Sequence, residues 1–318
     1  MKYLFSIILL FSFSGLSSAK EKYQEYVFST DSKFIYDACL SEHGKVIVCT
    51  DNNTLKAFSV HNKKLLANFT GGHQTKILCV AISPDSTMLA SGGSDSTVVI
   101  WDINSQSVLQ RITYATGKIT GIKFSPDNQF LLFGCSNSRA YLNNIKTQKM
   151  VYEFAGQHKD ITTLTFSNDG SLIAIAGGDK MIRLYNTVDF KLKTELKGHT
   201  NWVRAIKFYN NDRNLISCGD DGKIIQWNLL KADYTLTKRS NSWILSVDIH
   251  STSEKKNDYF VFSSISGDIR IIHGFGSYKA KLKTPVSKVL LLPNKTGLVE
   301  FVTATLGSGL MVINARNM

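Results

Sequence analysis

Proline is scarce in this chain, at 4 residues in 318, and cysteine is both few and odd in number, at 5. An odd set without close spacing argues against a disulfide framework and against a thiolate zinc site. Cys39, Cys49, Cys79, Cys135 and Cys218 all sit among apolar neighbours, which reads as core packing. One bridge, between Cys39 and Cys49 on adjacent strands, stays open. The chain also lacks a phosphate-cradling glycine loop, a metal-ligand spacing and any helix-period segment of useful length after its first residues, so no cofactor or metal is expected. No apolar run reaches the roughly 20 residues needed to cross a bilayer.

The longest such run lies in MKYLFSIILLFSFSGLSSAKEKYQEYVF, residues 1–28. Lys2 supplies a positive start, apolar residues follow from Tyr3 to Leu16, and Ser17 and Ala19 occupy the minus-three and minus-one positions of a cut. Residues 1–19 are therefore expected to be a secretory signal, leaving 20–318 as a single domain without a membrane span. Export to the periplasm, the cell envelope or the medium follows from that expectation.

The formal net charge is +12, from 37 basic and 25 acidic residues. Such an excess suits an acidic surface or polymer as partner, and outside the cell nucleic acid is the least expected one. The basic residues are scattered, however. KTQK at 146–149, KLK at 191–193 and KAKLK at 279–283 fall near outer strands, where they would form solvated rims.

The chain repeats itself. Apolar-alternating runs begin at Ile35, Ile77, Ile119, Ile161, Val203, Ile244 and Val286, in steps of 42, 42, 42, 42, 41 and 42. Each unit continues through a turn such as Ser83-Pro84-Asp85, a run MLASGG, a turn at Ser94-Asp95-Ser96, a run VVIWD and a last run VLQRIT. Four short strands with turns between them make one antiparallel sheet. Such a sheet cannot bury both faces alone, so seven of them must stack into an all-β, seven-bladed propeller.

Two units, 71–102 and 197–228, resemble WD40 repeats, with Gly-His near the start and Trp-Asp or Trp-Asn near the end. The resemblance implies a hydrogen-bonded set inside the blade: His73, Ser91, Asp95 and Trp101 in one, His199, Ser217, Asp221 and Trp227 in the other. The unit at 157–186 keeps His158 and Asp179 but has Ile175 for the hydroxyl and Tyr185 for the indole, and the third unit has Asn137 and Asn143. These sets invite a catalytic misreading as triads. A nucleophile needs exposure and an oxyanion donor, and recurrence in separate blades points to a structural network instead.

The resemblance also implies a phase shift between repeat and blade, so the last unit, 301–315, lacks an outer strand. KYQEYVF at 22–28, alternating aromatic and polar residues, is expected to supply it and close the ring. Around the mouth of the central channel the resemblance implies Phe34, Lys76, Lys118, Asp160, Trp202, Trp243 and Pro285, each just before a first strand. Trp202 and Trp243 stand in successive blades beside lysines, a pattern that suits a binding hot spot. Covering the end of a blade suits it equally.

These observations favour a non-enzymatic scaffold for protein–protein interaction, exported and working as a subunit of a larger envelope assembly. Two other classes fit the residues. One is a cytosolic adaptor for an acidic peptide, with the leader part of the fold. The other is a propeller enzyme acting on a polysaccharide or lactone, for which Asp160 is the one carboxylate in the ring of entrance residues.

Overall fold

The computed structural model describes residues 23–231, 233–250, 259–273, 276–292 and 299–315. The expected leader and its cut site lie outside the described residues.

Twenty-eight strands form seven antiparallel sheets of four, and no described residue is helical. Blades 1 to 6 run through residues 38–69, 77–112, 119–154, 161–197, 203–239 and 244–281. Blade 7 is built from both ends of the chain: three strands between 286 and 315, and β1 (Tyr23–Val27) as the fourth. β1 pairs with β28 (Leu310–Ala315) through five residue pairs, from Tyr23 with Ala315 to Val27 with Met311. Phe28, just past β1, turns inward, is 2% exposed and meets the Phe58 ring of blade 1 at 5.0 Å. Burying one such aromatic is worth on the order of 2–3 kcal/mol, so the closing strand is anchored by packing as well as by its ladder.

The core lies between blades rather than inside any one of them. Ile100 and Ile112 of blade 2 pack on Ile119, Phe133 and Tyr141 of blade 3; Leu132, Leu142 and Phe154 of blade 3 pack on Ile161, Ile175 and Tyr185 of blade 4. Period-two alternation sends successive side chains to opposite neighbours, and this is why near-continuous apolar runs such as LIAIAG (172–177) are buried along their whole length.

The same geometry settles the cysteines. Cys49 is paired with Ala38 and Cys39 with Val48, so the two thiols leave opposite faces of the sheet. Cys39 packs with Val80 and Trp101 of blade 2, Cys49 with Val302 and Val312 of blade 7. The bridge left open by the sequence does not form, and all five cysteines are buried free thiols. Burial first, and the nearby Asp37 carboxylate second, push the Cys39 thiol up to about 12, which makes it inert.

A register shift recurs at the start of the inner strand in six blades, as at Ile77/Cys79 and Val203/Ala205. Each is a bulge, and a bulge re-aims the residues beside it. The carbonyl just before the strand turns inward to accept an amide from the facing turn: Ser94 N on Lys76 O at 2.9 Å, Gly178 N on Asp160 O at 2.9 Å and Asp220 N on Trp202 O at 2.9 Å. The backbone is thereby pinned, and the side chains of these residues border one face of the ring.

Candidate functional site

In blade 2, His73 Nδ1 lies 3.2 Å from Asp95 Oδ1, His73 Nε2 lies 2.8 Å from Ser91 Oγ, and Trp101 Nε1 donates to Ser91 Oγ at 2.9 Å. The carboxylate can only accept, so the imidazole proton sits on Nδ1. Nε2 then accepts the seryl hydroxyl, which in turn accepts the indole N–H. Burial lowers the His73 pKa below its ordinary 6.5, against the pull of Asp95, and the neutral ring satisfies the chain of bonds. Asp95 also accepts the amides of Gln74 and Thr97, both at 3.1 Å, and these bonds with His73 hold its carboxyl low in spite of burial. Gly93 is required beside the set: a Cβ there would stand 2.3 Å from Asp95 Oδ1 and 2.6 Å from His73 Nδ1.

Blade 5 repeats the arrangement. His199 Nδ1 is 3.0 Å from Asp221, His199 Nε2 is 2.8 Å from Ser217 Oγ, and Trp227 Nε1 donates to Ser217 Oγ at 2.8 Å. Ser91 and Ser217 are both 0% exposed, so neither hydroxyl can meet a substrate. The sets tie the second and third strands of a blade to the loop that enters it.

Blade 4 departs from the expectation. His158 is exposed, and only its backbone amide reaches Asp179, at 3.3 Å. The position equivalent to His73 and His199 belongs to Gln157, which is buried and donates to the Tyr185 hydroxyl at 3.2 Å. Arg183, which the sequence did not single out, completes the set. It donates to Gln157 Oε1 at 2.6 Å, to Asp179 Oδ2 at 2.5 Å and to Glu195 Oε1 at 3.0 Å. A guanidinium in the blade interior thus replaces the serine hydroxyl that Ile175 cannot provide. In blade 3, Asn143 accepts from the Tyr114 hydroxyl at 3.3 Å and Asn137 donates to Thr116 at 2.6 Å, so the two asparagines are held by different partners.

On the entrance face the anticipated residues have unequal surroundings. Phe34 and Trp243 are 56% and 45% exposed, and Lys76 and Lys118 are exposed as well. Asp160 and Pro285 are half-buried. Trp202 is half-buried for a specific reason: its indole covers Gly178 of the preceding blade, where a Cβ would lie 2.9 Å from Cε2. Arg204 stacks over the same ring at 4.9 Å while its guanidinium pairs with Asp220 through Nε at 2.7 Å and Nη2 at 2.5 Å. Lys76 leans on Tyr36, with Nζ 3.4 Å from the hydroxyl and 5.8 Å from the ring centroid. Ile265, 37% exposed, adds apolar surface next to Trp243, whose carbonyl accepts its amide at 3.0 Å. The face therefore offers aromatic and aliphatic groups on blades 5, 6, 7 and 1, and exposed lysines on blades 2 and 3.

Inside the channel, Lys207 pairs with Asp248 and Lys288 with Asp37, the latter at 3.2 Å. Ser287 Oγ donates to Ile35 O at 2.6 Å across the junction of blades 7 and 1. These contacts lock neighbouring inner strands together. Among the described residues, no three His, Cys, Asp or Glu side chains converge as a metal site.

Comparison with known proteins agrees with this arrangement. The family described as "WD domain, G-beta repeat" matches residues 63–102 and 190–228, the segments that hold the two complete sets. The "Anaphase-promoting complex subunit 4 WD40 domain" matches 83–168. The chain is 35% identical over 71 residues to WD repeat-containing protein 1 of Gallus gallus, covering 22% of this chain and 12% of the relative. It is 30% identical over 88 residues to Transcription factor unc-37 of Caenorhabditis elegans, covering 27% and 14%. It is 34% identical over 76 residues to Actin-interacting protein 1 of the same organism, covering 23% and 12%. The matched segments span less than a sixth of any of these three relatives. The chain carries WD40 repeats and folds as a seven-bladed propeller.

Proposed function

We propose that this WD40 propeller is a non-enzymatic scaffold that holds a partner protein on its entrance face. The observation that carries the reading is the exposure of Phe34 and Trp243 on that face, 56% and 45%, with Lys76 and Lys118 exposed on the same face. Aromatic side chains that can be buried by a partner dominate interface energies, and exposed lysines on the same face favour an acidic segment as the occupant. An acidic protein segment, rather than a nucleic acid, is the partner of choice. One relative carries a protein interaction in its name, which suits the same kind of role.

The proposed place of action is the periplasm or cell envelope, or the medium, with the propeller as one subunit of a larger assembly. Support for this part comes from the signal-like sequence at 1–19. Five buried free thiols are neutral on the point, because none is placed to oxidise.

The test is purification from fractionated native cells, with N-terminal sequencing and mass spectrometry of whatever accompanies the protein. A chain starting at Lys20 in the envelope or medium, with a stoichiometric companion lost on Phe34→Ala/Trp243→Ala substitution, is the expected result. An uncut Met1 chain in the cytosol would transfer the same face to a cytosolic adaptor.

A further inference from the structure

A cleft of about 230 Å³ opens between blades 3 and 4, at the end of the ring opposite the entrance face. Its lining includes Phe130, Phe166 and Phe190, with Pro126, and the carboxylates of Asp127 and Asp169. All three phenylalanines are half-buried and both aspartates are exposed, so the cleft has aromatic walls and an acidic rim.

Phe190 is the unusual member. It has φ +56° in the turn between the third and fourth strands of its blade. The matching turns of blades 1, 2 and 3 place Lys63, Gln106 and Gln148 in the same left-handed conformation, at φ 62°, 57° and 59°. A bulky aromatic side chain is rarely found there, and such outliers cluster where a site is being shaped. Its ring is held by Tyr152, stacked at 4.8 Å, and by the edge of Phe154 at 6.2 Å.

Both carboxylates are exposed and are oriented by local bonds. Asp127 Oδ1 accepts from Ser125 Oγ at 2.5 Å and Gln129 N at 3.0 Å; Asp169 Oδ1 accepts from Ser167 Oγ at 2.6 Å and Ser171 N at 2.9 Å. The bond from Ser167 and that from the Ser171 amide hold Asp169 below the usual carboxylate range, hence ionised.

A chain with net charge +12 thus sets two anions beside three aromatic rings in one small cavity. Aromatic faces attract cations, but a primary ammonium loses strong hydration on entering such a cleft, whereas an alkylated one has little to lose. We propose that this cleft binds an alkylated ammonium group, either the trimethylammonium of a small molecule or that of a methylated lysine on a partner. The site lies away from the entrance face and does not depend on the function proposed for it.

The test uses the full-length folded protein and isothermal titration calorimetry with choline, Nε-trimethyl-lysine amide and 3,3-dimethylbutan-1-ol, the neutral isostere of choline. Saturable binding of at least one trimethylammonium compound is expected, with the alcohol about tenfold weaker or absent. The tighter of the two ammonium ligands identifies the source. Phe190→Gln, which copies Gln148 of the neighbouring turn, should weaken binding about tenfold or more with an unchanged circular dichroism spectrum. Asp169→Asn, which can still accept its two local bonds, should weaken it as well. Absence of binding by both ammonium compounds, equal binding of the alcohol, or an unaltered affinity in Phe190→Gln and Asp169→Asn would each overturn the proposal.

Discussion

Arg183 Nη1 stands 2.6 Å from Gln157 Oε1, inside a blade whose counterparts keep apolar residues at Val99 and Ile225 on the same strand position. Gln157 and this guanidinium together therefore do in blade 4 what a histidine and a serine do in blades 2 and 5. Its three acceptors come from the entering loop, the hairpin turn and the outer strand, two of them carboxylates, so the outer strand is tied in as well.

Replacing Arg183 with leucine leaves the Asp179 carboxylate, 6% exposed, without its counter-charge. Loss of about 3–5 kcal/mol is expected in urea unfolding, as for other broken buried pairs. Arg139→Leu removes an ion pair whose arginine is 52% exposed and should cost at most about 1 kcal/mol. Equal losses would show that the Arg183 cluster is solvated.

Ser91→Ala strips both the Trp101 indole N–H and His73 Nε2 of their partner in a fully buried place. The expected cost is about 1–3 kcal/mol, with the same for Ser217→Ala. The two sets lie three blades apart, so the double variant should lose the sum to within about 0.5 kcal/mol. A clear shortfall from additivity would mean that the blades unfold in concert through these sets.

The His73 pKa is lowered in the fold by burial, so the unfolded chain binds a proton first as the solution is acidified below 6.5. Its contribution to stability is complete above that value and is lost as pH falls towards the folded pKa. Urea midpoints measured between about pH 7.5 and about pH 5 should decline, and His73→Gln should make the decline shallower. Asp95 is also lowered, its bonds outweighing burial, but its contribution is lost only at pH below 3.8. An identical slope in His73→Gln would assign the acid sensitivity elsewhere.

Trp243→Ala removes a ring that is 45% exposed, and Trp202→Ala a ring that covers Gly178. Thermal unfolding should leave the first variant near wild type and lower the second by several degrees, consistent with a loss of about 2 kcal/mol from the packed indole. Partner capture should fall in both. A Trp243 variant that melts early would make that residue part of the packing as well.

A chain starting at Lys20 keeps β1 and should melt like the intact protein; one starting at Phe28 loses the fourth strand of blade 7. The shorter chain exposes the β28 edge and is expected to self-associate on size-exclusion chromatography. A monomeric, equally stable short chain would show that β1 is dispensable.

Blade number and strand order are legible because a period of about 42 residues repeats one chemical problem, an apolar sheet needing a neighbour, seven times over, and ring closure is legible through the phase shift that the resemblance to WD40 repeats implies. His73 and His199 are legible because their 22-residue spacing to aspartate recurs with serine and tryptophan in step. The same spacing counted back from Asp179 reaches Gln157, yet the adjacent His158 is the residue that draws the eye. Arg183 is hidden because a lone charge on a strand reads as solvent-facing, and only the missing hydroxyl at Ile175 hints at a substitute. Phe190 is hidden too: Lys63, Gln106 and Gln148 share its backbone conformation without sharing any residue type with it. The exposure of Trp243 and the covering role of Trp202 differ through Gly178, a contact between blades that no local pattern records.

The pairing of Tyr23 with Ala315 has a mechanical meaning. The two ends of the chain leave blade 7 side by side, at the same end of an antiparallel pair. Tension that draws them apart opens the β1–β28 ladder one bond at a time, as a zipper does, rather than loading all the bonds at once in shear. A pull applied between Tyr23 and Ala315 would thus load this one ladder from its end, bond by bond.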